Sequence, residues 1–161
     1  MNGRKIEIKW GVLFILIGLI WMVFEKTMGW HDVHIDKHAT YSLFIAPIAI
    51  AIYVFALLDK KRNFYGGKMT YMQGLIPGVI ISVIIAILSP GTQWIISYVI
   101  TPEYFPNVIK RSVEIGYFST TEEAEAQFNF VNYAKQSTIA ALVMGVLTTA
   151  IAMIFIRSKE K

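Results

Sequence analysis

The chain has 161 residues, 55% of them hydrophobic and only 16% charged, with a formal net charge of +4. Soluble domains carry about a quarter charged residues, so this balance points to lipid, and the basic residues lie beside apolar runs, which makes nucleic-acid binding a poor explanation for the charge. With no cysteine in the chain, disulfides, thiolate zinc sites and Cys nucleophiles are excluded.

The first apolar run, Trp10 to Phe24, follows Arg4, Lys5 and Lys9. That start resembles a secretory signal, but no small-x-small cleavage site comes after it, which predicts an uncleaved span over residues 8–30. Trp10 and Trp30 are then expected at opposite interfaces. The second span is predicted over 38–58, kinked at Pro47 and closed by Asp59-Lys60-Lys61-Arg62. Gly66-Gly67 reads as a turn, and Lys68 to Gly74 as an interfacial anchor.

The third span, 74–100, is interrupted by Ser89-Pro90-Gly91-Thr92-Gln93. This predicts either a tilted, kinked helix or a break where backbone lines a cavity. The fourth span is predicted over 136–156, ending at the basic tail Arg157 to Lys161. Between these two spans lies the polar segment 101–135. Asn107 is expected to cap a short helix reaching about Gly116. Ser119 with Glu122 and Thr120 with Glu123 offer two overlapping capping boxes, for a helix that could run on into the last span. Gly74 with Gly78, and Ala141, Gly145 and Thr149, mark seams where helix backbones approach closely, within the chain rather than between subunits.

Charge sets the orientation. The N-terminal tail, the 59–68 loop and the C-terminal tail hold ten of the fifteen basic residues, whereas the other two connections hold eight of the eleven acids. Positive residues stay inside, so both termini are expected in the cytoplasm and the 25–38 and 101–135 segments outside, sharing one face.

The stretch Glu25 to His38 contains all three histidines. On a continuous helix His31, His34 and His38 share a face, with Glu25, Asp32 and Asp36 opposite. The candidates are therefore a His31/His34/His38 site for a divalent metal and an outward polar pocket of Glu25, Asp32, Asp36 and Gln93. A mixed His/Asp site needs the chain to turn near Gly29 and Asp32, with Asp32 or Asp36 capping the second span. An ordinary polar hairpin is the preferred alternative, and no cofactor is expected. Gly66-Gly67-Lys68 has the wrong spacing for a phosphate loop, and no nucleophile-and-base motif occurs, so an enzyme is not expected.

Several blocks in order carry a resemblance: Trp21-Met22-Val23-Phe24-Glu25-Lys26, Gly29-Trp30-His31-Asp32, Ile35-Asp36-Lys37-His38, Asp59 to Tyr65, Gly67 to Tyr71 with Gln73-Gly74, Leu88-Ser89-Pro90 and Thr101 to Asn107. Together they resemble the domain-of-unknown-function family 4199, small four-span bacterial inner-membrane proteins. The resemblance covers nearly the whole chain. It implies an all-α, polytopic four-helix transmembrane bundle with a small extracytoplasmic helical cap, and it brings no catalytic residues. The functions expected are a non-enzymatic sensing, scaffolding or accessory role through the cap, or a small carrier with an outward pocket, metal- or proton-linked. The expected partners are the lipid bilayer and either another protein or a second copy of the chain.

Overall fold

The computed structural model describes residues 3–158 and is all-helical, with no strand among them. The helices are α1 (Gly3–Thr27), α2 (Ile35–Tyr41), α3 (Ala46–Asn63), α4 (Tyr71–Ile95), α5 (Tyr104–Glu114), α6 (Thr121–Gln127) and α7 (Phe130–Ile156). Four stretches are long and apolar enough to cross a membrane: Arg4–Thr27, Ile35–Asn63, Tyr71–Ile100 and Thr121–Ile156. Large apolar side chains such as Ile20, Ile87 and Phe155 face outward, the arrangement that lipid favours. The basic tail residues Lys159 and Lys161 lie outside the described residues.

α4 is the central helix, touching α1, α3 and α7, and its longest seam is with α7. Small residues allow that seam. A Cβ on Gly78 would stand 2.2 Å from the Thr149 side chain, and one on Gly145 would stand 2.2 Å from Ser82 Oγ and Tyr53 Oη. Tyr53 and Ser82 hydroxyls bond at 2.9 Å inside this contact, which links α3, α4 and α7 at mid-bundle. The small-residue rows therefore join helices of one chain, and Met153 seals the seam beside Gly74.

At the end away from the cap, Lys60 donates to Glu7 at 2.6 Å with both side chains buried, and Lys9 and Trp10 converge on Asp59. α3 runs on through residues 59–62 to Asn63. Gly66 and Gly67 take the left-handed backbone of a tight turn. Thr70 and Gln73 then exchange hydrogen bonds as a full capping box at the start of α4.

Several boundaries differ from the sequence-based expectation. α1 ends at Thr27, because Gly29 (φ 70°) reverses the chain. Trp30 is consequently buried among Trp21, Phe24 and Tyr41. In the second span the irregularity precedes Pro47. A 3-10 stretch, Ser42–Ile45, puts the proline in the first turn of α3, where its missing N–H costs little. α4 runs unbroken through Pro90, with the Ser89 and Thr92 hydroxyls returning to the Ile85 and Leu88 carbonyls. Its irregularity comes later, as a π-helical turn over Ile96–Ile100.

In the cap, α5 starts at Tyr104, three residues before the expected Asn107 cap, and Gly116 (φ 71°) ends the turn that follows it. Thr120 does cap α6 by accepting from Glu123 N–H. The Glu123 carboxylate accepts from Ser119 N–H, so the two overlapping boxes merge into one arrangement. α6 stops at Gln127 rather than running into the last span, which begins at Phe130 behind an Asn129 cap.

Candidate functional site

The turn at Gly29 folds the 28–34 loop back over the end of α1. Trp30 N–H bonds the Glu25 carbonyl at 3.1 Å, and His34 N–H bonds the Gly29 carbonyl at 2.8 Å. This reversal carries His31 back to the height of Glu25, and α2 brings His38 from the other side. Glu25 is 1% exposed and His31 4% exposed. The Glu25 Oε2 atom lies 3.0 Å from His31 Nε2 and 3.3 Å from His38 Nε2. Its Oε1 accepts from the Trp21 indole N–H, one turn earlier on α1. A buried carboxylate is costly unless it is surrounded by donors, and three ring nitrogens provide them here.

The π turn at the end of α4 closes the pocket from a third side. Lys26 donates to the Ile100 carbonyl at 2.6 Å, fixing the end of α1 to this turn. Buried Thr101 bonds back to the Ile96 carbonyl, and the chain then turns into α5 with Tyr104 over the histidines. The Tyr104 hydroxyl lies 3.4 Å from His38 Nδ1 and 3.0 Å from the Tyr133 hydroxyl on α7. Burial pushes the Tyr104 phenol well above its ordinary range, and neighbouring Tyr133 and Glu25 push it the same way. It therefore remains a neutral hydroxyl, able to donate and accept.

The cap is tethered at two further points. Asn107 donates to the His31 carbonyl at 3.0 Å. Arg111 forms a two-pronged bond with Asp36, at 2.7 and 2.9 Å. Together these contacts enclose a pocket of about 250 Å³, lined by Glu25, His31, His38, Gln93 and Tyr104 among others. Met22, Ile45, Gln93 and Ile96 also line an adjoining apolar cavity of about 350 Å³, which lies deeper between α1, α3, α4 and α7.

Four expected site residues meet at this pocket: Glu25, His31, His38 and Gln93. Gln93 spends its amide N–H on Ser97 at 3.0 Å. The other three do not. His34 is exposed and outside the cluster, so the all-histidine set is replaced by Glu25 with His31 and His38. The reason is the loop: without a continuous helix, the shared face of the histidines no longer exists. Asp32 is exposed and turned onto Val33 N–H, and Asp36 is occupied by Arg111. Neither carboxylate caps α2, whose first turn has no side-chain cap. Trp21 had a local signal that sequence reasoning passed over, because it precedes Glu25 by four helical residues. Tyr104 and Tyr133 had no such signal, since only the fold of the cap brings them to His38.

The family model described as "Protein of unknown function (DUF4199)" matches residues 9–158. No curated protein and no solved structure matches the chain.

Proposed function

The chain belongs to the DUF4199 family, and from its geometry we propose that it is a non-enzymatic sensing or accessory component of the bacterial inner membrane. Its termini lie in the cytoplasm and its cap faces outward, as the bias of basic residues toward the end opposite the cap supports. The cap acts as a lid whose position depends on the state of the pocket beneath it, and it presents that state to a protein partner or to a second copy of the chain. One observation carries this reading: Tyr104, on cap helix α5, touches both His38 of the buried cluster and Tyr133 of the last span. A change in proton or ligand state at Glu25–His31–His38 thereby reaches the cap and a membrane helix through one hydroxyl.

The absence of cysteine makes the test direct. A spin label on a cysteine introduced at Tyr117, which is 72% exposed beyond the end of α5, reports cap mobility in lipid nanodiscs. Glu25→Gln is expected to mobilise it, as is Arg111→Ala, which removes a tether. A lineshape unchanged by Glu25→Gln but altered by Arg111→Ala contradicts the reading.

The adjoining 350 Å³ cavity favours a second reading, a small carrier whose polar pocket leads toward the membrane centre. That reading predicts substrate-dependent flux in proteoliposomes that Glu25→Gln abolishes, and equal flux in the variant removes it.

A further inference from the structure

We propose that Glu25, His31 and His38 form a binding site for a divalent transition metal of the zinc class. The donors converge from the end of α1, the 28–34 loop and α2. Glu25 Oε2 stands 3.0 and 3.3 Å from the two imidazole Nε2 atoms, and the donor atoms of all three residues lie within 4.8 Å of one another. In a tetrahedral site with bonds of about 2.0–2.2 Å, neighbouring donors stand roughly 3.3 Å apart. Two of the three separations already stand near this value, and the third is no more than 4.8 Å. Two imidazoles with one carboxylate suit zinc, and the 250 Å³ pocket beside them has room for an exogenous fourth ligand.

The surroundings select against other cations. Lys26, next to Glu25 in sequence, is held on the Ile100 carbonyl. Magnesium and calcium favour shells built mainly of oxygen, whereas two of the three donors here are nitrogen.

Metal binding also has a defined path outward, and this part rests on the sensing reading. Without metal, each Nε2 carries a proton and donates to Glu25, so His38 Nδ1 accepts from Tyr104. With metal on Nε2 the proton sits on Nδ1, and His38 donates to Tyr104. The Tyr104 hydroxyl then turns its own proton toward Tyr133, 3.0 Å away. Occupancy reverses one hydrogen bond under the cap without a change in charge at Tyr104.

The test uses the full chain, purified free of metal in lipid nanodiscs, with zinc chloride as the probe. Calorimetry is expected to give one zinc per chain. Glu25→Gln, His31→Ala and His38→Ala should each weaken binding more than ~100-fold, beyond the range of residues that only support a ligand, while Tyr104→Phe should weaken it about 10-fold. His34→Ala should bind as the wild type does. Equal binding by a His31→Ala/His38→Ala double variant, or loss of binding in His34→Ala, overturns the site. Because a buried-site variant can lose its fold, zinc X-ray absorption on the wild-type chain supplies an independent reading. Scattering from two imidazoles supports the site, and a shell of oxygen alone overturns it. Zinc that binds without altering the Tyr117 label leaves the site standing and contradicts the sensing role. A label that responds to Glu25→Gln in a chain that binds no zinc overturns only the site.

Discussion

The Glu25 carboxylate on α1 and the His38 imidazole on α2 meet at 3.3 Å, although on one continuous helix they would stand on opposite faces. Gly29 makes the contact. Its φ of 70° reverses the chain, and a Cβ there would meet Asp32 Oδ1 at 3.1 Å. Gly29→Val is therefore expected to destabilise the folded chain by about 1–3 kcal/mol, because a β-branched residue strains the left-handed backbone. Gly29→Asn should cost less, since asparagine tolerates this region. Unfolding in mild detergent measures both, and an equal midpoint for Gly29→Val would contradict the role given to this turn.

The α4–α7 seam makes a prediction with a built-in rescue. Gly78→Ala places a methyl 2.2 Å from the Thr149 side-chain ends and 2.7 Å from its Cβ. Overpacking of this kind costs about 1–3 kcal/mol. Because the Thr149 Cβ itself is too close, Thr149→Gly should restore more stability in that background than Thr149→Ala. The same unfolding assay decides it, and equal rescue by the two would place the clash elsewhere.

Orientation is open to labelling, again because the chain has no cysteine. A cysteine replacing Tyr117 should react with a membrane-impermeant maleimide from outside intact cells. One replacing Phe64, in the turn at the other end, should react only after the inner membrane is opened. The reverse pattern would invert the topology.

The bundle was legible in the sequence because lipid demands long apolar helices, and four of them dominate the composition. Their ends were less so. Gly29 carried its turn signal openly, yet whether the chain used it there decides which side chains converge. With the turn, Glu25 joins His31 and His38, and His34 is left in solvent. Pro90 suggested a break, but α4 runs unbroken through it, and the irregularity comes downstream as a π turn. Asp36 resembled a ligand because carboxylates among histidines do. Its partner, Arg111, sits on a cap helix that only tertiary packing brings near. Tyr104 was invisible as a site residue for the same reason. Contacts set by spacing along one helix can be read in advance, and contacts between a cap and a loop cannot.

The central claim is that the buried cluster and the cap are coupled through Tyr104. The most direct measurement is a double-mutant cycle of Glu25→Gln and Tyr104→Phe, read as amide hydrogen exchange over α5 in lipid nanodiscs. If the two act through one path, each variant speeds exchange in α5, and the double variant exchanges no faster than Glu25→Gln alone. Strictly additive effects, or an α5 indifferent to Glu25→Gln, would contradict the coupling.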